Sequence, residues 1–291
     1  MTGVSGHKVG MGTWPLRGSA LRSAMKDALS VGYRLFDTAD NYSNENDIGD
    51  ILAESPSLRD QICVMTKISD EKQVGNPWSS IGKYFYRTSS YMKAHKCADV
   101  IEMLVDRSLA NLHMDRLDCL LMHWPYPDYF CEIWDAMRAL KSRGKIFEIG
   151  VCNCGIRHLK MLNEAFDEFP VVNQIALSPV NARSDVVDYC KDNNITVVCY
   201  APMQQARAVE SKAPELIATL KSKYSKNTQE LLLMWCASQG IVPIPKSSHK
   251  DRLMANYRAS FETMEDEDVK LLSALDEGLQ WLPESMYCPG L

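Results

Sequence analysis

The sequence predicts an α/β chain folded as a (β/α)8 TIM barrel, a single domain over residues 1–291, with a long loop after the third strand. Three observations lead there. Short apolar runs alternate with helix-like patterns until eight strand-then-helix units are counted. No Gly-, Pro- or Ser-rich linker and no sequence repeat divides them. The nearest approach to a dinucleotide fingerprint, Gly10-x-Gly12, has Pro15 where the third glycine or alanine belongs, so an open Rossmann sheet is disfavoured.

In chain order, a short strand is expected near Lys8–Thr13. It is followed by "RLFDTA", "ICVMTK", "LDCLLMHW", "EIGVCN", "VVNQIAL", "TVVCYAP" and "IVPIPKS". Continuous apolar runs of this length suit strands covered on both faces. Between them, residues 99–112 place Ile101, Leu104, Val105, Leu109 and Leu112 at helical spacing, and residues 130–140 do the same with Phe130, Ile133, Trp134, Met137 and Leu140. Each is a single apolar face that can pack on a sheet.

One connection breaks the rhythm. Residues 69–96 carry Trp78, Tyr84, Phe85, Tyr86 and Tyr91, and Lys72, Lys83, Arg87, Lys93 and Lys96 outnumber Asp70 and Glu71. A basic, aromatic segment of that length suits a lid that selects an anionic or ring-bearing substrate. It equally suits an exposed insertion or a subunit contact, and both readings stay open.

Composition removes several function classes. With 32 basic against 37 acidic side chains, net −5, the chain has no electrostatic footprint for nucleic acid or for anionic lipid. No apolar run approaches the roughly 18 residues of a membrane span, and the N-terminus lacks a signal-peptide layout, so a cytosolic protein is expected. Ten cysteines lie largely inside apolar strand-like runs, which reads as reduced, buried thiols. Cys152-x-Cys154 is too tight for a typical zinc knuckle, and six histidines with no H-x-H pair leave a barrel metal site short of ligands. No metal is expected.

The chemistry is concentrated where strands end. "LFDTADNYSNE", residues 35–45, runs from a strand into Asp37 and Tyr42, with Asn44 or Asp37 also able to cap the next helix. Lys67 ends the third strand and His123 the fourth. In this fold the carboxyl ends of the strands share one mouth, so four polar groups of different chemistry converge. A free tyrosine, with a pKa near about 10, is a poor acid at neutral pH. An adjacent ammonium would lower that value, a carboxylate would keep the lysine charged, and His123 could align a carbonyl. Asp37, Lys67, Tyr42 and His123 therefore read as a proton-donating site.

"GMGTW", "YRLFDTADNYSNENDIG", the "TK" of the third strand, "LDCLLMHWP", "IGVCN", "VVNQI" and "PIPKSSHKDRLMAN" follow one another as they do in the aldo-keto reductases. The chain resembles that family over nearly its whole length. The resemblance implies a barrel that binds NADPH in extended form and reduces an aldehyde or ketone, with Tyr42 as proton donor. It further implies that Thr13 and Trp14 border the cofactor, that Cys152, Asn153 and Gln174 face the nicotinamide carboxamide, and that Tyr200 stacks under the ring. Lys246, Ser247 and Arg252 would clamp the 2′-phosphate, and Asn256 would reach the adenine. Trp14, Trp78, Trp124 and the tail around Trp281–Tyr287 become candidates for the substrate wall.

Three departures stand out. Cys152 replaces a serine, Ala255 replaces a glutamate, and "YAPMQQA" lacks the usual serine and glycine of the pyrophosphate loop. A nicotinamide-binding regulatory subunit on the same scaffold, as in the potassium-channel β-subunit branch, is the alternative from another class. Oligomeric state is not legible.

Overall fold

The computed structural model of the chain describes residues 3–68, 96–126 and 129–280. Eight parallel strands run in chain order: β1 Met11–Gly12, β2 Leu35–Asp37, β3 Cys63–Ile68, β4 Leu117–Met122, β5 Ile146–Cys152, β6 Val172–Ala176, β7 Thr196–Tyr200 and β8 Val242–Pro243. Gly10 N donates to Pro243 O at 3.0 Å and Gly12 N to Pro245 O at 3.3 Å, so the first strand meets the eighth. Gly12 is needed at this junction, because a Cβ there would stand 2.9 Å from the Ile244 carbonyl oxygen.

Strand parity sorts the core into two layers. Cys63, Met65, Cys119, Leu121, Cys152, Val172 and Val198 fill the interior with Leu35 and Ile244, whereas Val64, Leu120, Met122 and Ile149 face the helices. Both faces are largely buried, which explains runs that are apolar at most positions. Of the ten cysteines, nine fall among the described residues as free thiols, all buried except the half-buried Cys131.

The helices among the described residues are α1 Gly18–Val31, α2 Glu45–Ala53, α3 Cys97–Leu112, α4 Phe130–Ser142, α5 Ile156–Phe166, α6 Ser184–Asp192, α7 Ala206–Lys212, α8 Pro214–Tyr224, α9 Thr228–Ser238, α10 Lys250–Ala259 and α11 Asp266–Ser273. The apolar faces that the spacing predicts on two of them, α3 and α4, face the interior. On α4, Phe130, Ile133, Trp134, Met137 and Leu140 are all buried; on α3, Ile101, Leu104, Val105 and Leu112 are buried, while Leu109 is half-buried. The regular alternation fails late in the chain, where three helices separate β7 from β8. The long connection 69–96 with Trp78 lies, apart from Lys96, outside the described residues, as do Trp281 and the rest of the tail. No helix among the described residues is long and apolar enough to cross a membrane.

Candidate active site

Asp37 closes β2, and a single 3-10 turn at Asp40–Tyr42 brings Tyr42 back over the barrel mouth. Ser43 follows at φ 56° in the left-handed region. Asn44 does occupy the N-cap position of α2, yet its side chain makes no cap bond. Its amide nitrogen donates instead to Thr13 Oγ1 and Leu16 O, each at 3.0 Å, and its oxygen accepts from Thr38 Oγ1 at 2.6 Å. Thr13 in turn donates to Asp37 O at 2.9 Å. The turn is thus bolted to β1 and to the end of β2 by groups with almost no exposure to water.

Lys67 reaches across from β3. Its ammonium, 1% exposed, donates to Asp37 Oδ1 at 2.6 Å and to Thr38 O at 2.7 Å, and lies 3.5 Å from Tyr42 Oη. His123, at the end of β4, sets its ring edge-on to Tyr42 with centroids 6.1 Å apart. Asp37 and Lys67, both buried, and Tyr42 and His123, both half-buried, therefore meet in one cluster, as the sequence led us to expect.

The electrostatics depart from the expectation in one respect. Burial pushes the Tyr42 phenol up to about 12, outweighing the downward pull of the Lys67 ammonium. Lys67 lowers the phenol's pKa relative to a buried tyrosine without it, but not relative to one in water. Burial also works against the Lys67 charge; the Asp37 carboxylate reverses this and holds the ammonium above its ordinary range. Burial pushes the Asp37 carboxyl up, opposed by Lys67 and by the Gln174 amide. Burial, then Lys67, drives His123 well below the ordinary imidazole value, so the ring is neutral at neutral pH. A protonated phenol, an ammonium and a neutral imidazole face the same mouth.

The residues assigned to the nicotinamide end surround this cluster. Gln174 on β6 donates to Asp37 Oδ1 at 2.7 Å, which leaves its amide oxygen as the atom with which to meet a carboxamide. Asn153, at φ 59° just after β5, donates to His123 O at 3.1 Å and accepts from Tyr200 Oη at 2.8 Å. Cys152 is buried inside the barrel beside β6, in register with Gln174. Trp124 is buried, its ring stacked with His123 at 6.4 Å, while Trp14 stands 56% exposed at the rim.

A separate cavity of about 510 Å³ gathers Lys246, Ser247, Arg252 and Asn256 with Met203, Gln229 and Glu230. Lys246 and Arg252 are exposed, whereas Ser247 and Asn256 are buried. Ser247 Oγ accepts from His249 N at 3.1 Å and so steadies the start of α10. Two cations and a hydroxyl beside a helix start fit a phosphate. Among the described residues no cluster of His, Cys, Asp or Glu is placed to hold a metal ion.

Sequence reasoning passed over several members of the site. Thr38 contributes a backbone carbonyl to Lys67, a role no side chain advertises. Glu45, 2% exposed, accepts from Thr66 Oγ1 at 2.7 Å and from Asn111 Nδ2 at 3.2 Å, tying α2 to β3 and α3. The signal for Glu45 was its place directly after Asn44 in "NYSNE", where a carboxylate at a helix start also has a simple capping explanation.

The model of the aldo/keto reductase family matches residues 8–277. Methylglyoxal reductase DkgA of Escherichia coli is 29% identical over 280 residues, covering 95% of this chain and 92% of that protein. Glyoxal reductase of Bacillus subtilis is 28% identical, covering 94% and 91%. An aldo-keto reductase of the silkworm, Bombyx mori, solved in complex with NADPH, superposes with a TM-score of 0.81 at 27% identity, covering 97% of this chain and 88% of that one.

Proposed function

The chain belongs to the aldo/keto reductase family, and from that premise we propose that it is an NADPH-dependent reductase of a small aldehyde or ketone, working as one barrel domain in the cytosol. The observation that carries this reading is the Asp37–Lys67–Tyr42 chain, its ion pair buried and its phenol half-buried, with steps of 2.6 and 3.5 Å, beside a neutral His123. The relatives named for methylglyoxal and glyoxal reduction make α-oxoaldehydes the first substrates to try.

When bound, NADPH supplies the hydride. Tyr42 supplies the proton: its phenol, held in the acid form by burial, donates to the carbonyl oxygen as negative charge develops there. Lys67 stabilises the phenolate that this leaves, and Asp37 keeps Lys67 charged and in place. As a neutral ring, His123 can donate one N–H to the same oxygen without competing for the proton. Gln174 and Asn153 are fixed by bonds to Asp37 and to Tyr200, which sets the edge against which a carboxamide would lie. Lys246, Ser247 and Arg252 would hold the 2′-phosphate, and Asn256 the adenine.

Arg252→Ala is expected to weaken NADPH by about 1.5–3 kcal/mol, the scale of a charge-assisted contact, and to change NADH little. Titration of both cofactors into wild type and variant checks this, and an equal loss for both would make Arg252 structural. The reaction is also expected to lack an inflection near the ordinary imidazole value, because His123 is already neutral there, and reduction should fall only as alkaline pH begins to ionise Tyr42. A kcat profile between pH 5.5 and 10 is therefore expected to be flat, and a limb assigned to either group inside that window would contradict these states.

The reading itself is tested by NADPH oxidation against a panel of α-oxoaldehydes, simple aldehydes, ketones and sugars. Turnover on at least one is expected. Tight NADPH binding with no turnover on any would instead indicate a nicotinamide-binding regulatory subunit.

A further inference from the structure

Three segments at the carboxyl-end face of the barrel meet at one side chain, Gln205, which takes no part in the chemistry above. Gln205 ends the turn that follows Tyr200 and leads into α7. Its amide is used at both ends, by partners from two other parts of the chain. Ser178, in the connection after β6 and itself buried, donates through Oγ to Gln205 Oε1. Gln205 Nε2 donates to Leu279 O at 2.5 Å, in the segment that follows α11.

That C-terminal segment is anchored a second time. Glu277 N and Leu279 N both donate to Val180 O, at 3.2 and 3.0 Å. Ser178 and Asn181 exchange backbone bonds at 2.9 and 3.2 Å, which stiffens the connection that carries Val180. Lys212, at the far end of α7, is ion-paired with Glu277. Apart from the local bond from Gly278 N to Asp276 Oδ1, the attachments of residues 277–279 among the described residues run to the connection after β6 or to the Gln205–Lys212 unit after β7.

We propose that Gln205 is a positioning residue that couples the docking of the C-terminal segment to the cofactor-facing turn Ala201–Gln205. The proposal rests on the reading that this turn borders the bound nucleotide. An amide that must satisfy Ser178 and Leu279 together has one orientation that does so, because its oxygen accepts and its nitrogen donates. Ordering the turn therefore orders the segment, and by linkage the segment tightens the cofactor by the same factor.

Hydrogen exchange at the Glu277 and Leu279 amides, with and without saturating NADP+, tests this. Exchange in wild type is expected to slow by about three- to tenfold on NADP+ binding, the range of a modest net hydrogen bond. Gln205→Glu keeps an acceptor for Ser178 but loses the donor to Leu279. It should abolish that slowing and raise the NADP+ dissociation constant by the same factor. Ser178→Ala, which removes only the other bond, should reduce the slowing to below about twofold. A merely structural Gln205 would lower the melting temperature and leave the NADP+-dependent slowing intact, which would overturn the coupling. So would exchange that does not respond to NADP+ in wild type. Failure of wild type to bind NADP+ at all would instead overturn the cofactor reading, and this inference with it.

Discussion

Tyr42→Phe is expected to lower kcat for carbonyl reduction by about 10²–10⁴-fold while leaving NADPH affinity nearly unchanged. The substitution removes one oxygen and little volume. Tyr42 Oη lies at 3.5 Å from Lys67, a long contact whose loss costs the fold little, because Lys67 keeps Asp37 at 2.6 Å and Thr38 O at 2.7 Å. What disappears is the acid that must protonate the developing alkoxide, an interaction made mainly in the transition state. Single-turnover rates separate this from a change in product release. A variant as fast as wild type would remove Tyr42 from the role proposed for it.

Lys67→Met is expected to abolish measurable reduction and also to destabilise the protein, so the two effects must be read separately. Methionine fills most of the space of the lysine stem but leaves the Asp37 carboxyl, 4% exposed, with the Gln174 amide and no cation. Stranding a buried charge costs about 3–5 kcal/mol, and protonation of Asp37 relieves part of it. The direction with pH follows. In the variant the folded-state pKa of Asp37 is raised by burial, so the folded form is favoured below the unfolded carboxyl value and loses stability as pH rises through the folded value. The deficit against wild type should therefore be larger at pH 8 than at pH 5 in urea denaturation. A deficit that shrinks as pH rises would mean that Asp37 stays ionised and solvated in the variant.

Most of the barrel was legible because its strands are buried on both faces and its helices on one, and these two patterns differ in sequence. The helix with Ile101, Leu104 and Val105 and the helix with Ile133, Trp134 and Met137 emerged with the expected faces. Less legible was the run from Ala206 to Ser238, where three helices occupy one connection. A helix pattern says which side is apolar but not how many helices share a crossover.

At the site, the ends of β2, β3 and β4 carried Asp37, Lys67 and His123 in plain view, because barrel topology alone brings strand ends together. The net pKa of Tyr42 was not legible. It depends on how completely the phenol is desolvated, a property of the folded surroundings rather than of its neighbours in sequence. Contacts such as Thr38 O to Lys67, or Gln205 to Leu279, were equally hidden, since backbone acceptors and distant segments leave no pattern in residue type.

The central claim is that this chain transfers hydride from NADPH to a carbonyl carbon, with its own residues supplying the proton. The most direct test is a single turnover of the wild-type protein with NADPH deuterated at C4 of the nicotinamide, methylglyoxal and then a wider carbonyl panel as acceptors, and mass analysis of the product. The account predicts an alcohol carrying deuterium on the former carbonyl carbon, formed in step with loss of NADPH absorbance and absent in Tyr42→Phe on the same timescale. Oxidation of the cofactor without a deuterated alcohol, or no oxidation with any carbonyl despite bound NADPH, would contradict it.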